Sequence, residues 1–131
     1  MRPKKVVLLV FADDGELSMR RYLLTINGYK VLSSADPVNA TAILAMTAVM
    51  DLVLVGDAPW APKLIAEIKF WHPHRTVVLI GAASADPGKA DSVWSRPLLS
   101  SADFLQRVRI LSQRRRGPRK KIAREFAAVS T

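Results

Sequence analysis

The chain has 131 residues, half of them hydrophobic, with no cysteine and a formal net charge of +9. That length fits one domain with a short extension; the apolar content excludes a disordered chain, and the missing cysteines exclude disulfide and thiolate chemistry. The charge is lopsided: Arg107 to Thr131 holds nine basic residues against Glu125 alone, a surplus of +8, while the other 106 residues carry eleven Lys/Arg and ten Asp/Glu.

Met1 to Lys5 followed by Val6 to Ala12 has the basic-then-apolar look of a signal sequence. The run is short and meets Asp13 and Asp14 at once, so it reads as a first core strand. Its continuous β-branched and aliphatic character suits a strand covered on both faces. Asp13 or Asp14 caps a first helix, whose inward stripe is Leu17, Tyr22 or Arg21, Leu23 and Leu24, and Asn27-Gly28 closes it. Tyr29 to Ser33 is a second, more polar strand, suited to an edge. Asp36-Pro37 opens a second helix with Ala40, Ile43, Leu44 and Val49 or Thr47 inward. Leu52 to Val55 is the third strand, Pro62 to Trp71 a third helix with Leu64, Ile65, Ile68 and Trp71 on one side, and Thr76 to Ile80 the fourth strand.

Gly81 to Ser92 is small, polar and broken by Pro87-Gly88, so it reads as a loop with at most one helical turn. Ser92 to Ser95 is a short fifth strand. Ser100 or Ser101 caps a last helix with Phe104, Leu105, Val108 and Leu111 inward; it runs to Gln113 or into the arginines, and Gly117-Pro118 stops it. Ile122 to Val129 has the pattern of a short amphipathic helix. Strands alternating with helices over short loops predict an α/β three-layer fold, with a five-stranded parallel sheet of flavodoxin-like order 2-1-3-4-5 and a shortened or absent helix before the last strand. The predicted boundaries are a domain over 1–113 and a basic tail over 114–131.

No GxGxxG follows the first strand and no GxxxxGK[ST] occurs, so the glycines of dinucleotide and Walker-type phosphate sites are missing. No run approaches the ~20 apolar residues of a membrane-crossing helix.

Five segments in order and spacing are shared with a known family: Lys5 to Val10 with acids just after it, Leu23-Leu24 with Gly28 to Val31, Asp51 to Val55 followed by Pro59, Val77 to Ile80 followed by Gly81-Ala82, and Arg96-Pro97 before the last helix. Through them the chain resembles, from about Lys4 to Ser112, the receiver domains of response regulators in bacterial two-component signal transduction and phosphorelays. The resemblance implies a magnesium-binding pair of acids after the first strand, where this chain has Phe11 and Ala12. It places the phosphoacceptor aspartate on Gly56, the phosphoryl-binding Thr or Ser on Gly81, the charge-neutralising lysine on Arg96, and the aromatic that reports phosphorylation near Val93. Hard cations take carboxylate oxygens, and a guanidinium is no geometric substitute for an ammonium. The sequence therefore departs from the family at every one of these positions.

Asp57 and Asp13 stand one residue beyond the acceptor and acid-pair positions. A one-residue step reverses side-chain direction in a strand, although a loop can re-aim it, so Asp57 as acceptor, with a two-carboxylate metal site from Asp13 and Asp57, is the low-ranked alternative. In the plainer reading Asp13 caps a helix and Asp57 sits in a solvated loop. His72 and His74 flank Pro73 in a turn without a third ligand. The serines lack a glycine elbow, and catalysis is not expected. Trp71 and Trp94 are assigned to the core; Trp60, in a proline-flanked loop, is a candidate partner anchor or a half-buried residue.

The tail residues Arg114, Arg115, Arg116, Arg119, Lys120 and Lys121 would attract phosphate backbones or anionic lipid, with only Phe126 for stacking. The expectation is an atypical, cytoplasmic receiver-like signalling module, not phosphorylated at the usual position. It needs no cofactor and acts through a protein partner, with a homodimer as one form. Nucleic-acid binding through the tail is the alternative.

Overall fold

A computed structural model describes residues 4–81, 88–95 and 100–113. In chain order the elements are β1 (Val6–Val10), α1 (Asp14–Ile26), β2 (Lys30–Ser34), α2 (Pro37–Met46), β3 (Leu52–Gly56), α3 (Ala61–Trp71), β4 (Val77–Gly81), β5 (Ser92–Ser95) and α4 (Ser101–Leu111). The five strands form one parallel sheet in the order β2-β1-β3-β4-β5, as the alternating pattern predicts. All residues of β1, β3 and β4 are buried, whereas β2, at an edge, is mostly half-exposed.

Successive strand residues point to opposite faces, so each inner strand feeds two cores. Val6, Leu8 and Val10 pack with Val53 and Val55 under Ala40, Leu44, Leu64, Ile65 and Ile68 of α2 and α3. Val7 and Leu9 pack with Leu54, Val78 and Ile80 under Leu24 of α1 and Phe104 and Val108 of α4. Each helix runs back from the edge where the strands end to the edge where they begin. The loops that follow β1, β3 and β4 therefore share one edge, while the C-terminal ends of α2 and α3 lie at the other.

Local signals place the helix starts. Asp13 accepts a hydrogen bond from Gly15 N (3.0 Å), Asp36 from Val38 N (3.0 Å), and Ser100 from Asp103 N (3.1 Å). The α3 start has no side-chain cap and relies on Pro62 in its first turn. Gly28, with φ at +92°, supplies the left-handed turn after α1. At the opposite edge, carboxylates satisfy the first amides of two strands: Val6 N donates to Asp51 Oδ2 (2.7 Å) and Val77 N to Asp91 Oδ2 (2.8 Å). Arg75 donates to the carbonyls of Thr47 and Met50, tying down the approach to β3.

Four assignments are corrected. Trp71 is 70% exposed rather than in the core, because the inward arc of α3 is Ala61, Leu64, Ile65 and Ile68 and Trp71 closes the helix beyond it. Tyr22 and Arg21 are exposed, and the buried residue between Leu17 and Leu24 is Arg20. Val49 is exposed and Thr47 half-buried, while Met50 fills the core beneath α2. Helix α4 ends at Leu111, where Ser112 N donates to Val108 O, short of Gln113. Between β4 and β5 no helix stands among the described residues; 82–87 lie outside them, and 88–91 form a turn. The predicted tail boundary and the helix over Ile122 to Val129 also lie outside the described residues. Among the described residues no helix is long and apolar enough to cross a membrane.

Candidate functional site

The parallel sheet brings the ends of β1, β3 and β4 together, so Phe11, Gly56 and Gly81 lie along one edge. Gly56 pairs in register with Ile80, and Gly81 with Ser95. Phe11 donates its backbone N–H to Ser34 O (3.1 Å) and is 1% exposed.

The Phe11 ring lies against the Cα of Gly56. A Cβ added at Gly56 would come 2.9 Å from Phe11 Cε2, 3.1 Å from Cγ and closer still to Cδ2. No side chain fits there while the ring holds its place. A second exclusion operates one strand over: a Cβ at Gly81 would come 2.8 Å from Asp57 Cβ, 3.1 Å from Asp57 Cγ and 3.2 Å from Asp57 Oδ2. Thus the space in front of each glycine is taken by a neighbour's side chain. Gly56 faces an apolar ring, and Gly81 a carboxylate.

Arg20 fixes the ring from the helix side. Its guanidinium carbon stands 5.7 Å from the Phe11 ring centroid and 4.6 Å from that of Phe104. It is held by Glu16, one turn earlier on α1, with Nε and Nη2 at 3.0 and 2.9 Å from Oε2. Both side chains are largely buried, 6% and 12% exposed. The arginine thus bridges α1, the end of β1 and α4. Sequence reading passed over Arg20 because a charge interrupts the apolar stripe. The available signal was the Glu-to-Arg spacing of four, which pairs side chains on one helix face.

The remaining site predictions separate. Ala12 is exposed and offers no ligand atom. Asp13 is spent on the α1 cap, and Asp57 is exposed at the sheet edge. Val93 is half-buried on the α2–α3 side, while Trp94 beside it is buried and meets Phe104 edge-on at 6.2 Å. Trp60 is half-buried against the α2–α3 core. His72 ends α3, and His74 is exposed. Arg96 with Pro97, and the tail residues Arg114, Arg115, Arg116, Arg119, Lys120 and Lys121, lie outside the described residues.

The residues do not fit a magnesium ion at the positions the resemblance indicates: Phe11, Ala12 and Gly56 contribute no side-chain oxygen, and the ion takes carboxylates. Among the described residues no group of three or more His, Asp or Glu side chains could hold a metal.

No protein-family model matches this chain, and no curated protein matches it in sequence. Solved structures do. A CheY-like response regulator receiver domain protein of Methanospirillum hungatei superposes with a TM-score of 0.75 at 18% identity, over 84% of this chain and 94% of that one. The signal receiver domain of an HD domain-containing protein of Pseudomonas fluorescens gives 0.74 at 22% identity, over 86% and 89%. An orphan response regulator of H. pylori gives 0.73 at 18% identity, over 85% and 100%. At these identities the likeness establishes the receiver fold.

Proposed function

We propose, with the receiver fold as premise, that this chain is a signalling module that takes no phosphoryl group at the usual position. In this reading it acts as a fixed protein-binding surface in the cytoplasm and catalyses nothing. The supporting observation is the Phe11 ring packed on Gly56, which puts an apolar group where an acceptor carboxylate and its metal would have to stand. A switch moves only by the difference in free energy that its ligand contributes to two states. With that place filled by hydrocarbon, a phosphoryl group has no route to bias this fold, and partner recognition is governed by concentration and affinity alone.

Incubating the full chain with acetyl phosphate and magnesium, followed by intact mass spectrometry, tests the reading. No phosphoryl adduct is expected. An acid-labile adduct that vanishes in Asp57→Asn would replace this reading with a relocated acceptor. That outcome has one observation in its favour, the exposed Asp57 carboxylate at the same edge. Against it, no group of three or more metal-ligating side chains among the described residues includes Asp57.

A further inference from the structure

At the edge remote from Gly56, the C-terminal halves of α2 and α3 diverge around an open cavity of about 390 Å³. Its walls include Thr41, Leu44 and Ala45 from α2 and Glu67, Ile68 and Trp71 from α3. Of its walls, Trp71 is 70% exposed; Phe70, the ring packed on it, is 74% exposed, and Met46, which follows Ala45 at the end of α2, is 86% exposed. The two aromatics meet edge-to-face at 5.0 Å, nearly perpendicular, so they support one another in a preset arrangement.

We infer that this α2–α3 face is where two copies of the chain pair about a two-fold axis. A two-fold interface must be self-complementary, since one patch meets itself. This patch carries both parts that such a meeting requires, a hollow able to take an inserted side chain and protruding apolar side chains next to it.

The size suits a modest interface. A buried aromatic brings roughly 150–250 Å², so Phe70, Trp71 and Met46 with the hollow's walls supply several hundred Å² per copy, against the ~800 Å² per partner of a standard interface. Exposed apolar patches of that extent mark interaction sites. The 106 residues before Arg107, which include this face, are close to neutral. The inference does not depend on the state of the Gly56 edge, and the two readings can fail separately.

Sedimentation velocity on the full chain over about 1 µM to 1 mM, the range in which a modest interface dissociates, reads the pairing directly. A monomer–dimer equilibrium is expected. Trp71→Ser with Met46→Lys should weaken it on the order of a hundredfold or more, since each change counts twice across the axis. Tyr22→Ser with Ile26→Ser, on the separate exposed stripe of α1, should leave it unchanged. All four side chains are at least half exposed, so circular dichroism of both variants should match the parent. Hydrogen exchange at 41–46 and 67–72 should slow as concentration rises. A monomer throughout the range would overturn the inference. So would a dimer indifferent to Trp71 and Met46, one abolished by the α1 changes, or one lost on truncation after Gln113. A monomer that begins to pair only after that truncation would identify the tail as the hollow's occupant, and would overturn it too.

Discussion

At Gly56 the deciding quantity is a distance. Atoms under 3 Å from a would-be Cβ cannot remain in place, and here they belong to an aromatic ring buried to 99% with no free direction of retreat. Gly56→Ala should therefore cost about 1–3 kcal/mol through overpacking. Phe11→Ala should cost about 3–5 kcal/mol through the cavity it leaves. Together the two should cost clearly less than their sum, since the added methyl enters space that the ring has vacated. Urea denaturation of the four proteins measures the coupling; strict additivity would mean the ring does not hold Gly56 bare. At Gly81 the nearest obstacle is Asp57 Cβ, 2.8 Å from a would-be Cβ; the exposed carboxylate beyond it can rotate away, but that carbon moves only with the backbone. Gly81→Ala should therefore also be destabilising, by about 1–3 kcal/mol.

Among the elements, α1 is fastened by a charge rather than by hydrocarbon alone. Arg20 lies between two aromatic rings with its partner Glu16 on the preceding turn. Arg20→Ala removes the charged hydrogen bond to Glu16 and the cation stacked between two rings, so it should cost about 1–3 kcal/mol in chemical denaturation. Arg20→Lys keeps the charge but loses the planar stack and the paired contact of the guanidinium with Glu16, and should fall between parent and alanine. A lysine variant as stable as the parent would show that charge alone matters at this position. The strand starts rely on similar chemistry. Lys69 Nζ holds Asp91 at 3.0 Å while Asp91 accepts from Val77 N, so one ion pair joins α3 to the beginnings of β4 and β5.

For the whole molecule, the charge distribution yields a separate test. If the tail neutralises about six phosphates, the logarithm of affinity for a DNA or RNA duplex should fall with the logarithm of salt at a slope of about −5, and truncation after Gln113 should abolish it. Equal binding by the truncated chain would remove the tail from consideration.

How much of this was legible beforehand varies by level. Strand order and the four helices of the described residues were readable, because continuous runs such as Val6–Val10 and Leu52–Val55 alternate with capped helical stripes. Asp36-Pro37 and Asn27-Gly28 carry their own backbone chemistry, and their helices start and stop as predicted. Order and spacing were enough to put Phe11, Gly56 and Gly81 at neighbouring strand ends. What stands in front of the two glycines was not legible, since Phe11 on Gly56 and Asp57 on Gly81 are contacts between strands, set by register and by the turn of the chain at each strand end. Trp71 was misjudged because the helical stripe predicts direction but not where a helix outruns the sheet beneath it.

The meeting of Phe11 and Gly56 also bears on which sequences lie within mutational reach. An aspartate installed at 56 alone collides with the ring, and a smaller residue at 11 alone opens a void. Each single step toward an acidic pocket thus lowers stability before the companion step can restore it. Such reciprocal epistasis is a ratchet: neutral drift can wander freely over the exposed helix faces, yet positions 11 and 56 can change readily only together.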